Sequence, residues 1–226
     1  MSALAADDDL LCGASVEAAR HVGPGEDVVD LRFRALVGEA GWSRLPAAVQ
    51  RRFSKRLAPG HVLLYAGEVL ETRLLWAGRV LSFLARAIGA PLPLDGITGG
   101  ATVAVMENAG LGGQSWTRTY ARPGRFPQVI HSAKCFAGAT GLEEHVGRGI
   151  GMSLAVAEDG GALVFRSVRY FWDLGRVRIL VPRVLEPGAM EIVHRDEGDG
   201  TFLFTLVLRH PQLGLLIRQT ARFRDA

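Results

Sequence analysis

From residue 100 onward the chain leaves no room for a crossover helix. Ten short segments follow one another, among them "ATVAVMEN", "SWTRTYA", "GIGMSLAVAED", "ALVFRSVRYFWDL" and "TFLFTLVLRH", each bounded by Gly, Pro or Asp. Parallel strands need long connections, so these strands must be antiparallel neighbours, and the chain is confined to a large meander or a barrel. "AEDGGAL" and "RDEGDGTF" are the clearest hairpin turns, because Asp and Gly tolerate positive φ. In "VFRSVRYFW", Val164, Val168 and Trp172 oppose Phe165 and Phe171, so both faces are apolar. That pattern fits a sheet covered outside by helices and inside by its own curvature.

Upstream the text is different. Residues 1–27 mix Ala, Asp and Gly and read as a flexible leader, with a single domain over 28–226. Leu31, Phe33, Leu36 and Val37 recur at helical spacing behind Asp30 as an N-cap, with Gly41 as the stop. Pro46 then opens a second stripe, giving a helical hairpin over 28–58. A strand is expected over 60–73 and a helix over 74–89 stopped by Gly89, followed by the antiparallel sheet or barrel over 100–224. The expected fold class is α+β, with N-terminal helices packed on a large, strongly curved antiparallel β-sheet or partly closed β-barrel of about ten strands.

Composition removes several function classes. With 226 residues and 48% hydrophobic content the chain can bury a sizeable core. The net charge is only +3 and the basic residues form no run beside stacking aromatics, so no nucleic-acid partner is expected. Cys12 and Cys135 are the only cysteines, which argues against a stapling disulfide and for a reducing cytoplasm. With no CxxC or HExxH and scattered histidines, no metal is expected. The amino terminus has acids where a signal peptide needs bases, and no apolar run reaches spanning length. "LLWAGRVLSFLARAIG" leaves two readings open, a buried helix or peripheral contact with a membrane surface.

One stretch concentrates chemistry. In "QSWTRTYARPGRFPQVIHSAKCF", period-two alternation puts Trp116, Arg118 and Tyr120 on one strand face, and Ser132 and Lys134 on another. If that face is interior, Glu144 is the candidate base, Arg118 the stabiliser of developing negative charge, and Tyr120 or Tyr170 the proton donor. His145 is a candidate proton carrier, and Trp116, Ser132, Lys134 and Arg166 are candidates for ligand contact. The alternative is structural, with Arg118 lying over a ring or pairing with Glu144 as a strut.

Several segments carry a family resemblance: "RFRALVGEAGWSRLPAAVQ", "YAGEVLETRLLWAGRVLSFLARAIGAPLP", "SWTRTY", "LEEHVGRGIGMSL", "ILVPRVLEP" and "DGTFLFTLVLRHPQLGLL". Together they resemble a bacterial domain of unknown function that occurs alone, behind saccharopine-dehydrogenase-like NAD(P)-binding domains, or joined to small membrane modules. The resemblance runs from about Arg32 to the carboxyl end. The matching positions are Trp42, Leu45, Pro46, Trp116, Arg118, Ser132, Glu144, Gly147, Pro182, Pro211 and Gly214, while Phe53 stands where relatives often carry a histidine. No GxGxxG follows a strand, so no nicotinamide cofactor is expected.

The expectation is a barrel that binds a small, largely apolar molecule, leaning to cofactor-independent, isomerase- or cyclase-type conversion. The alternative is a non-catalytic interaction or accessory module for an oxidoreductase or a membrane-associated partner. The sequence leaves the oligomeric state open.

Overall fold

The computed structural model describes residues 28–87, 89 and 92–225. The expected leader over 1–27, with Cys12, lies outside these residues. The described chain opens with a two-residue strand β1 (Val28–Val29), followed by α1 (Arg32–Val37), α2 (Glu39–Trp42), α3 (Ala47–Phe53) and β2 (Lys55–Arg56). Where a helical hairpin was expected, three short helices stand inside a small β1–β2 ladder. Gly38 is the cause: at φ 77° it ends α1, and Gly41, the expected stop, is buried within α2 instead. Asp30 sits one residue further out than an N-cap and accepts hydrogen bonds from the Arg32 backbone and guanidinium.

The rest of the chain is strand, interrupted by one long helix. β3 (Leu63–Leu74) leads into α4 (Trp76–Ala87). Then come β4 (Gly99–Asn108), β5 (Gly113–Tyr120), β6 (Gln128–Cys135), β7 (Glu143–Gly147) and β8 (Ile150–Asp159). β9 (Ala162–Asp173), β10 (Arg178–Leu180), β11 (Ala189–Asp196), β12 (Thr201–His210) and β13 (Gly214–Asp225) complete it.

Ten of these strands close on themselves. The order β3-β4-β5-β6-β7-β8-β9-β11-β12-β13 is an up-and-down meander, and β13 pairs antiparallel with β3 from Ile217↔Leu74 to Asp225↔Tyr65. An even strand number is what lets an antiparallel meander close without a mismatched seam. β9 carries β8 on one edge and, on the other, β11 along Leu163–Arg166 and short β10 along Phe171–Asp173. Gly160 and Gly161, at φ 56° and 78°, make the tight β8–β9 turn.

The two ends of the barrel differ. Phe33 of α1 meets Phe53 of α3, Phe136 and Phe165 edge-on, with ring centroids 5.1, 5.0 and 6.1 Å apart. Burying aromatics of this size stabilises by roughly 1.5–3 kcal/mol each, so this cluster seals its end. The helices therefore plug a barrel end, whereas the sequence suggested that they cover an outer face. At the opposite end α4 packs against β13 and β3, so closely that Gly78 lies against the Leu216 carbonyl. The apolar outer face of β9 is covered locally: the Arg178 guanidinium lies 4.0 Å over the Phe171 ring.

Candidate functional site

The ladder registers determine which side chains share the lumen. On β5 and β6, Trp116 stands opposite Ser132, and Lys134 of β6 stands opposite Glu144 of β7. All of these point inward, as do Arg118 and Tyr120. Bulges decide the rest: a register shift between Ser153 and Leu154 places Val168 as an extra residue on β9, so Tyr170 pairs with Met152 and joins the interior set.

Hydrogen bonds tie these groups into two chains. Arg118 Nη1 donates to Ser132 Oγ (3.0 Å), and Arg118 Nη2 lies 3.8 Å from Glu144 Oε1. The nearer cation to that oxygen is Lys134, whose Nζ is 3.2 Å away. Glu144 Oε2 is buried with no hydrogen-bond partner among the described residues. In the second chain the Tyr120 hydroxyl donates to Gln219 Oε1 (3.2 Å), and Gln219 Nε2 donates to Thr72 Oγ1 (2.9 Å).

Electrostatics follow from the burial. Desolvation pushes the Glu144 pKa up, but Lys134 and Arg118 outweigh it and the net shift is downward. Burial pushes Lys134 down, aided by Arg118 and opposed by Glu144. Tyr120 is raised by burial, and Tyr170 is pushed up to about 12 by burial together with Glu186 and Glu144. Both phenols therefore hold their protons at neutral pH.

Two hollows meet at this polar waist, sharing Arg118, Tyr120, Ile192 and Phe204. The larger is a cavity of ≈ 370 Å³ toward the α4 end, walled by groups such as Leu81, Met152, Tyr170, Val181, Leu206 and Leu208. Arg118 and Glu144 are the only Asp, Glu, Lys or Arg side chains among its described lining residues. The smaller, ≈ 60 Å³, lies toward the helical plug and is lined by Arg52, Lys55, Gln114, Trp116, Lys134 and His194 among aromatics.

Two candidates fall outside the lumen. His145 alternates with Glu144 on β7, so it turns outward, 3.4 Å from Glu143 and edge-on to Phe171. Arg166 follows the inward Phe165 and therefore faces solvent, paired with Glu191 (2.8 Å) and Asp159 (3.0 Å). The sequence reading also missed residues. Thr72 and Gln219 lie on β3 and β13, and no strand alternation from one segment could pair them. His194 could have been found, since it continues the inward Met190–Ile192 alternation on β11. It is buried, edge-on to Phe53 (5.0 Å) and Phe202 (4.2 Å), and desolvation with Arg52 nearby lowers its pKa to about 3. Phe53 is thus a ring partner of His194.

Among the described residues no three His, Cys, Asp or Glu side chains gather as a metal-ligand set, and no helix is long and apolar enough to cross a membrane. Searches among curated proteins and among solved structures find no significant match. A family profile does match, over residues 45–223, which includes the whole barrel apart from the last two residues of β13, Arg224 and Asp225. The chain belongs to the family described as Domain of unknown function (DUF4166).

Proposed function

We propose that the barrel binds a small, largely apolar molecule in its larger cavity and converts it without a cofactor. The observation that carries this reading is the composition of the wall: an apolar hollow of ≈ 370 Å³ in which one carboxylate and one guanidinium are the only charged lining groups among the described residues. A volume in this range suits a small ligand, and a few convergent polar groups suit its orientation.

The supporting chemistry is a proton transfer of isomerase or cyclase type. Glu144, kept anionic by its neighbouring cations, takes a proton from a carbon acid through its unpartnered Oε2. Arg118 stabilises the negative charge that develops on the adjoining oxygen. Tyr170 returns a proton at a second position, and the proton on Glu144 then passes to the tyrosinate, restoring both groups. Tyr120 is committed to Gln219 and serves as the alternative donor.

Binding is tested with N-phenyl-1-naphthylamine, a neutral apolar fluorophore. One probe per chain with blue-shifted emission is expected, abolished by Leu206→Trp, which fills the cavity. Absence of binding, or binding indifferent to Leu206→Trp, overturns the reading. Conversion is tested with 2-cyclohexen-1-one in D2O: wild type accelerates C–H exchange and Glu144→Gln is slower by about 100-fold. Equal exchange rates remove the proposed base and leave a binding protein or accessory module.

A second reading, peripheral membrane contact, rests on a separate observation. Separate segments at the cavity's open end each expose apolar side chains: Trp76, Val80, Phe83 and Leu84 of α4, Phe126, Leu174 and Val177, Val184 and Leu185, and Leu213. The carboxylates Asp95, Asp173 and Glu186 there are taken by Arg79, Arg178 and Arg169, while Arg86, Arg125 and Arg183 are exposed with no ion-pair partner among the described residues. An apolar collar edged with unmatched arginines fits an anionic lipid surface. Co-sedimentation with phosphatidylglycerol vesicles, lost in Phe83→Ser, is the expected result, and equal recovery with and without vesicles rejects it.

A further inference from the structure

The smaller chamber has a different chemistry from the cavity it adjoins. Arg52, Lys55, Arg118 and Lys134 line it, and no aspartate or glutamate is among its described lining residues. Arg52 reaches its acids outside the chamber, Asp196 at 3.3 Å and Asp225 at 4.0 Å, and its guanidinium lies 4.2 Å over the Phe202 ring. Two of its nitrogens, Nε (the atom 4.0 Å from Asp225) and Nη1, are buried without a hydrogen-bond partner among the described residues, and so is Trp116 Nε1. At the waist two cations, Arg118 and Lys134, share the single Glu144.

Each buried donor left unmatched costs about 1–3 kcal/mol, and such groups are rare in folded proteins unless an acceptor visits them. Three such donors, on two side chains, border one hollow. Burial, with Arg52 beside it, keeps His194 neutral, its pKa lowered to about 3. The space, ≈ 60 Å³, admits a compact group of a few heavy atoms and no ring system.

Building on the binding reading above, we infer that this chamber takes the anionic headgroup of an amphiphile, a carboxylate or a phosphate monoester, whose apolar part fills the larger cavity. Arg118 lines both hollows and stands where head and tail join. The bound anion accepts hydrogen bonds from Arg52 and the Trp116 indole and balances the second cation at the waist.

The test compares four probes of one chain length at pH 8 by isothermal titration calorimetry: decanoate, decyl phosphate, decanol and methyl decanoate. The expected result is that decanoate or decyl phosphate binds at least tenfold more tightly than decanol and methyl decanoate, and whichever of the two is preferred identifies the headgroup. Arg52→Met should remove that advantage while leaving decanol affinity unchanged. Trp116→Phe, which deletes a single donor and keeps an aromatic ring in place of the indole, should reduce it by about fivefold and guards against misfolding of the arginine variant. Equal affinity for all four probes overturns the headgroup site and leaves the apolar cavity standing. Failure of every probe to bind overturns both. An anion preference that survives in both variants places the headgroup elsewhere and rejects the assignment.

Discussion

Lys134 Nζ stands 3.2 Å from Glu144 Oε1 on the directly opposing position of the neighbouring strand, a cross-strand ion pair that barrel closure has turned into the lumen. On an open sheet such a pair would be worth a fraction of a kcal/mol. Inside, with Arg118 also dependent on Glu144, removing the carboxylate leaves two buried cations. Glu144→Gln is expected to cost about 3 kcal/mol, read as a lower urea midpoint, and adding Lys134→Met to it should recover at least half. A midpoint unchanged in Glu144→Gln would mean that water reaches the pair.

His194 predicts an acid-labile fold. Its pKa is near 3 in the folded chain and 6.5 in the unfolded one, so below pH 6.5 the unfolded state binds a proton that the folded state refuses. Stability is therefore lost as pH falls from 6.5 toward 3, by about 2 kcal/mol between pH 6.5 and pH 5. His194→Leu should flatten that slope in denaturation curves measured at the two pH values. The same slope in both proteins would clear His194 of responsibility.

Gly78→Ala should loosen α4. The added methyl would collide with the Leu216 carbonyl of β13, and backbone cannot give way as a flexible side chain can. A loss of about 1–3 kcal/mol is expected, with faster amide exchange across Trp76–Ala87 than in the barrel strands. Uniform exchange along the chain would show that the helix does not open separately.

Arg178 clamps β10 to the barrel. It holds Asp173 at 2.8 Å and the buried Glu143 at 2.5 Å, and stacks on Phe171. Arg178→Met keeps an apolar stem beside Phe171 but removes the guanidinium from both the ring and the Glu143 carboxylate. A destabilisation of about 3 kcal/mol is expected in thermal melts. A loss under 1 kcal/mol would indicate that His145, 3.4 Å from Glu143, suffices as its partner.

The strand pattern was legible because it is local: period-two alternation puts Trp116, Arg118 and Tyr120 together whatever the rest of the chain does. Which face is interior depends on closure, a pairing of β13 with β3 between residues more than 140 apart in sequence, such as Ile217 with Leu74. Tyr170 was ambiguous for a different reason. The bulge at Val168 reverses the alternation half-way along β9, so counting from Phe165 assigns Tyr170 to the wrong side. Arg166 and His145 lie outside the lumen because each is the immediate neighbour of an inward residue, and strand parity turns it to the other face. The helical hairpin gave way because Gly38 interrupts an apolar stripe that periodicity alone would carry through.

The seam between β3 and β13 also sets the order of events when the protein is made. Nine barrel strands can pair in succession as they are synthesised, each with the one before it, yet both outer edges and the greasy lumen stay open until the twelve residues of β13 arrive. Nascent chains are therefore most exposed to edge-to-edge aggregation just before that last strand docks, and deleting it should convert a closed vessel into a sticky ribbon.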